Sequence, residues 1–260
     1  MLTIHDLSAV LFPEYHVPQG FWIQRFVLPL MMKNADEIIT VSEYTKSDIA
    51  TWYNRKTHVT AIPLATRKFP QSTFIPLEQH YILCVGTIEP RKNIETLICA
   101  YELLKDHGYQ GQLVLVGKKG WKCEYIFEMI DQSRWKKDIS WKGYVYLEEL
   151  DGYYRNAEVF VYPSVYEGFG LPLLEAMHYG VPVIAGWNSS LKEVMGDAGL
   201  NFQPTLPVAL FDRLRTMLLK DDSEHTRHIY GEKAKKRAEK FTWEKTATQT
   251  LDVYKKLLMG

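Results

Sequence analysis

The chain repeats one pattern: a short and almost uninterrupted apolar run, a turn, then a stretch with helical periodicity. The runs are EIITVS (37–42), HVTAIP (58–63), YILCVG (81–86), QLVLVG (112–117), AEVFVYP (157–163) and GVPVIAG (180–186). A strand that is apolar on both faces must be covered on both. Helices placed between successive strands supply that cover when the strands run parallel. One such helix is NIETLICAYELLKDHG, which sets Ile94, Leu97, Ile98, Tyr101 and Leu104 on one face and places Gly108 to end it. EELDGYYRNA is another, and the fold class is α/β.

Periodicity lapses in LATRKFPQSTFIPLEQ (64–79), where two prolines intervene, and the stretch reads as a linker between two lobes. The expected division is 1–66 for a partial first lobe, 67–240 for a second lobe and 241–260 for a C-terminal helix. The first lobe reads as a strand at 2–5, a helix near 20–34, a strand, the helix EYTKSDIATWYN and a further strand. Such a half-sheet leaves an open edge, so a homo-oligomer or a complementing chain is expected to cover it. The final helix places Ala247, Thr250, Leu251, Tyr254, Leu257 and Leu258 at helical spacing and is expected to pack back along the body.

Thirty-one basic and thirty-one acidic residues cancel, which leaves no broad positive surface for nucleic acid. Cys84, Cys99 and Cys123 are odd in number without C-x-x-C spacing, the usage of free thiols in a reducing compartment. A cytoplasmic location is therefore expected, with a peripheral position at the inner face of a membrane as its extension. No leader is visible, and no apolar run reaches the roughly 18 residues of a membrane span. GFWIQRFVLPLMMK (20–33) is apolar but interrupted by Pro29, and reads as a buried helix or an interface face. The sequon Asn188-Ser189-Ser190 reads as a chance occurrence.

Four strand ends carry glycine turns: VGTIEPRKN (85–93), VGKKGW (116–121), KGYVYLEEL (142–150) and VYEGFG (165–170). In open parallel sheets ligands bind beyond the carboxyl ends of the strands. The stretch YEGFGLPLLEAM holds Glu167 and Glu175 around Gly168 and Gly170. These glycines let the backbone approach a ligand, and the following helix start offers free N–H groups to a phosphate. Glu175 lies one turn up the same face from Leu171, where a carboxylate can accept sugar hydroxyls. On spacing alone the two acids read equally well as helix-dipole residues around an ordinary turn. Arg91 and Lys92 suit a diphosphate, the first as a planar fork and the second as a point charge, or else form a solvated basic pair.

Taken together, GTIEPRKNIETLI, LVLVGKKGW, GYVYLEELDGYYRNAEVFVYPSVYEGFGLPLLEAMHYGVPVIAGWNSSLKEVMGDAGLNFQP and the closing FTWEKTATQTLDVY resemble glycosyltransferase family 4 over essentially the whole chain. The resemblance implies the GT-B type of fold, here a complete C-terminal Rossmann-like lobe and a truncated N-terminal one. It implies a retaining enzyme that uses a nucleotide sugar. Glu167 and Glu175 match the family's E-x7-E motif, the first beside the transferred sugar and the second at the ribose. Gly168, Phe169, Gly170 and Leu171 match the segment whose backbone holds sugar and phosphates. Gly86, Arg91 and Lys92 match the diphosphate-binding turn, where Thr87 stands in place of a further arginine found in many relatives. Gly117 matches the turn below the nucleotide, and Tyr144 and Val145 the segment beside the base. His5, in TIHDLSAVLFPEYH, matches the residue that contacts the transferred sugar; a lone histidine at a strand end is otherwise structural.

The forms HDL...PE and GTIEPRKN are most like mannosyltransferases that use GDP-mannose. The resemblance thus implies GDP-mannose as donor substrate, no metal and no other cofactor, and a glycan, polysaccharide or lipid-linked sugar as acceptor. Family members carry further strands, helices and a glycine-rich loop ahead of the histidine strand, so much of the acceptor side is expected to be missing. A donor-binding module without turnover is the other reading of the same motifs.

Overall fold

The structure is a computed structural model and describes residues 1–55, 58–77 and 80–259. Among these, nine strands form two parallel sheets. The first holds β1 (Leu2–Ile4), β2 (Ile38–Thr40) and β3 (Val59–Ala61) in that spatial order. The second holds β4 (Tyr81–Val85), β5 (Gln112–Val116), β6 (Ile139–Trp141), β7 (Val159–Tyr162), β8 (Val183–Gly186) and β9 (Leu200–Phe202). Its spatial order is β6-β5-β4-β7-β8-β9, so the chain starts in the middle, winds one way, then returns and winds the other. The reversal lies between β4 and β7, and a crevice opens there because the connections leave those two strands in opposite directions.

The α/β expectation holds, and the long apolar runs are the strands. β6 and β9 show no apolar run because they are the two edge strands of the second sheet, and Ser140 and Asn201 interrupt their apolar residues. In β4, Tyr81, Leu83 and Val85 face a core shared with Phe160, Tyr162 and the helix Leu171–His178. The alternate residues Ile82 and Cys84 face the helices Ile94–Asp106 and Pro207–Leu218. Side chains alternate across a strand, so a sheet covered on both faces needs apolar residues at every position.

Residues 18–33 form a helix with a π-turn at Ile23–Val27, where the Leu28 N–H donates to the Ile23 carbonyl. Pro29 lacks the N–H that an α-helix would need there, and the widened turn lets the helix continue through it. Phe21, Leu28 and Met32 pack on Ile4, Leu7 and Ile38. The opposite face is not buried: Trp22, Phe26 and Leu30 are 56%, 55% and 64% exposed. A three-stranded sheet offers apolar surface to one side of the helix only.

The helix Trp243–Met259 returns to the first sheet. Val253 packs on Ile39 and Ile62, Thr246 Oγ1 donates to the Pro63 carbonyl (2.7 Å), Trp243 Nε1 donates to the Thr66 carbonyl (2.8 Å), and Lys256 Nζ meets Glu37 at 3.0 Å. These tethers set the helix rotation. Ala247, Leu251, Tyr254 and Leu258 consequently face outward, against the expected apolar seam, and contact runs through Thr246, Thr250, Val253 and Leu257. All three cysteines are free thiols.

Candidate active site

A cleft of about 420 Å³ opens at the carboxyl ends of β4 and β7, faced by the end of β1. His5 and Asp6 line it from the first sheet, and Gly86, Glu89, Arg91, Lys92, Glu167 and Gly168 from the second. The two sheets nearly touch here: a Cβ on Gly168 would lie 2.0 Å from the His5 carbonyl oxygen. Only glycine fits that position.

The turn after β4 aims the basic pair. Pro90–Lys92 form a short 3₁₀ turn, and Asn93 follows in the left-handed region (φ 55°). Asparagine tolerates that conformation, and its Nδ2 is anchored to the carbonyls of Pro163 (3.1 Å) and Pro204 (2.8 Å). Arg91 and Lys92 are thereby turned inward toward the loop after β7. Lys92 Nζ donates to Glu167 Oε1 (2.5 Å) and to the Tyr162 hydroxyl (2.7 Å). Arg91 reaches Glu167 Oε2 (3.0 Å), the Tyr166 carbonyl (2.8 Å) and Glu89 Oε1 (2.5 Å). The loop that carries Glu167 is pinned as well, since its N–H donates to Ser189 Oγ (3.0 Å) and its carbonyl accepts from Ser190 Oγ (2.8 Å). Asn188, the sequon asparagine, has its amide nitrogen engaged by the carbonyls of Ser164 and Val165.

Burial pushes the Glu167 carboxyl up, but Lys92 and Arg91 together outweigh it and hold the group down at about 2. Burial pushes Glu89 up more than Arg91 and Lys92 pull it down, so it sits above the usual carboxylate range. For Arg91, burial is outweighed by Glu167 and Glu89, and the guanidinium stays charged. Because Glu167 is depressed in the folded state, the stability it contributes is present above about pH 4.3, where an unfolded glutamate ionises. That stability is lost as pH falls toward about 2. Thermal unfolding followed from pH 6 to pH 2 is expected to show this loss in the native chain and a flatter profile in Glu167→Gln.

Glu175 stands apart from the cleft. It is buried, with Oε1 bonded to Arg67 Nε (2.8 Å) and Oε2 to the Tyr154 hydroxyl (2.9 Å); burial raises its carboxyl against the pull of Arg67. Gly170 (φ 97°) starts the helix Leu171–His178, and Phe169, Gly170 and Leu171 line the cleft. Gly117 lies outside it, packed on the turn of Gly86, and its N–H donates to the Gly143 carbonyl (2.8 Å). Tyr144 is 73% exposed, and Val145 rests on the core beside it. The structure thus gathers His5, Gly86, Arg91, Lys92, Glu167, Gly168, Phe169, Gly170 and Leu171 in one cleft and sets Gly117, Tyr144, Val145 and Glu175 around it.

The polar and aromatic cleft residues not singled out from sequence are Asp6, Glu89, Trp121 and Tyr162. Glu89 and Asp6 sit inside quoted motifs, beside Arg91 and His5. Tyr162 lies in the quoted run AEVFVYP, where it reads as core, and Trp121 closes the quoted turn VGKKGW; its Nε1 donates to the Tyr15 carbonyl (2.6 Å). Tyr166, next to Glu167, ties the sheets together through its hydroxyl bond to Asp48 Oδ2 (2.6 Å) and ring contacts with Phe12 and Tyr44.

The model of the family described as glycosyl transferases group 1 matches residues 65–237, well over half of the chain. The chain belongs to this family. This group 1 glycosyl transferase is 36% identical to the O-antigen chain mannosyltransferase B of Escherichia coli, over 98% of its own length and 70% of that protein's. It is 28% identical to the O-antigen chain mannosyltransferase RfbU of Salmonella typhimurium, over 78% of its length and 56% of that relative's. Among solved structures it superposes on a sucrose-phosphate synthase from Thermosynechococcus elongatus with a TM-score of 0.83 at 28% identity, covering 99% of this chain and 68% of that one. The GT-B architecture follows from that match. Among the described residues, no group of three or more His, Cys, Asp or Glu is placed to hold a metal ion, and no helix is long and apolar enough to cross a membrane.

Proposed function

We propose that this chain is a retaining glycosyltransferase that moves mannose from GDP-mannose to a glycan, polysaccharide or lipid-linked acceptor. The observation that carries the reading is the buried Glu167 carboxylate, held by Lys92 and Arg91 at the crevice between β4 and β7. Similarity to two O-antigen mannosyltransferases supports mannose as the transferred sugar.

In this reading Arg91 and Lys92 face the leaving diphosphate and stabilise the negative charge that develops as the C1–O bond breaks. Arg91 Nε, buried and without a partner, the second N–H of Arg91 Nη2 and the remaining N–H of Lys92 are donors left for it. The start of the helix Leu171–His178 adds the Leu171 N–H, since Pro172 has none and those of Leu173 and Leu174 donate to the Gly170 carbonyl. The acceptor oxygen bonds to C1 on the face the diphosphate leaves, and its proton passes to a diphosphate oxygen. Glu167 orients the sugar and stabilises its positive charge, His5 contacts the sugar from the other sheet, and Glu175 serves the ribose. The first sheet has three strands against six in the second, which favours one further reading, a donor-binding module that needs another chain to complete its acceptor side.

Calorimetric titration with GDP, UDP, ADP and GDP-mannose tests the assignment. Micromolar binding of GDP and GDP-mannose is expected, with a loss of roughly tenfold to a hundredfold in Arg91→Ala and in Glu175→Ala. A folded chain that binds none of the four refutes the donor site. Donor hydrolysis or transfer then separates the enzyme from the binding module.

A further inference from the structure

We propose that Glu89 takes up a proton from solvent as the donor's diphosphate enters the cleft, and then donates a hydrogen bond through Oε2 to a phosphate oxygen. The inference rests on the cleft being a nucleotide-sugar site. It begins from charge balance. Glu89, Arg91, Glu167 and Lys92 form one chain of ion pairs, are nearly buried, and their formal charges cancel. The basic pair therefore brings no net positive charge to a diphosphate that carries two negative ones. Protonating one carboxylate leaves the cluster net positive.

Geometry selects which carboxylate. Both oxygens of Glu167 are in ion pairs, Oε1 with Lys92 and Oε2 with Arg91, so a proton there would break one. Glu89 commits only Oε1, to Arg91. Its Oε2 is buried without a partner, on a residue that is 1% exposed and lines the cleft. A proton on Oε2 keeps the Arg91 bond and turns a repelling lone pair into a donor. The groups that face Glu89 are Arg91 and Lys92 on its own turn and Glu167 from the loop after β7; Asp6 and His5 line the same cleft from the first sheet. Asp6 Oδ1 is occupied by the Ser8 N–H and hydroxyl. The upward push of burial on Glu89, against the strong downward hold on Glu167, favours the same choice. The proton returns to solvent when the nucleotide leaves.

GDP-mannose suits the test because its diphosphate diester has no proton to exchange near neutral pH. Titrating the full chain in two buffers of different ionisation enthalpy, at pH 7 and pH 8, gives the protons taken up per binding event. Uptake approaching one proton is expected, with affinity falling by up to about tenfold per pH unit as pH rises. Glu89→Gln mimics the protonated group, so it should bind without uptake, independently of pH, and more tightly than the native chain at pH 8. Binding without uptake in the native chain, or equal uptake in Glu89→Gln, overturns the proposal while leaving the donor site intact. Absence of GDP-mannose binding overturns both. If Glu89→Gln does not fold, infrared difference spectra of the native chain decide: a new protonated-carboxyl band on adding GDP-mannose is expected, and its absence refutes the inference.

Discussion

Lys92→Met is expected to lower the unfolding free energy by about 3–5 kcal/mol, the cost of removing one partner from a buried ion pair. Lys92 is 8% exposed and makes two of the bonds that hold the cluster, to Glu167 and to the Tyr162 hydroxyl. Without it, Glu89 and Glu167 share the single charge of Arg91 in a region from which water is largely excluded. Combining Lys92→Met with Glu167→Gln leaves a balanced Arg91–Glu89 pair, so the double variant should recover most of the loss. Donor binding should not recover, because a phosphate-facing cation is still missing. Denaturant unfolding of the two single variants and the double variant, with calorimetry on each, separates the two effects. A single-variant cost under about 1 kcal/mol would mean that water reaches the cluster and screens it.

Gly168→Ala should damage the site by forcing the sheets apart. The added methyl would sit 2.0 Å from the backbone oxygen of His5 and 2.8 Å from Asp6 Cβ. A backbone oxygen cannot swing away as a side chain can, so the loop that carries Glu167 has to move. The expected cost is about 1–3 kcal/mol in stability. Donor turnover is expected to fall about a hundredfold, since displacements near 1 Å suffice for that at a reacting centre. Adding His5→Ala should not rescue the variant, because the clash is with the main chain. Normal turnover in Gly168→Ala would show that the sheets separate freely during function.

Much of the architecture was legible in sequence for a local reason. A strand buried on both faces must be apolar throughout, and the helices between such strands must be amphipathic, so YILCVG and NIETLICAYELLKDHG declare themselves without knowledge of their neighbours. β6 and β9 did not, because edge strands need no continuous apolar run and Ser140 and Asn201 interrupt theirs. The apolar face of the last helix was misjudged because its rotation is set by tethers to Pro63, Thr66 and Glu37, far away in sequence.

The same division runs through the site. Glycine turns at strand ends, a basic pair and two acids could all be named from the sequence, and so could the side of the sheet on which they fall. Their partners could not. Arg91 and Lys92 suggested cations offered outward to phosphate, yet the turn at Asn93 aims them at a carboxylate 75 residues further on. Glu175 suggested a carboxylate with no protein partner, yet Arg67 and Tyr154 each donate to one of its oxygens, leaving one lone pair on each for a ribose hydroxyl. Local sequence determined which residue types stand at each strand end. Strand order, which sets β4 beside β7, decided which of those charges meet in one nearly buried cluster, and so that Glu167 is held ionised between Lys92 and Arg91.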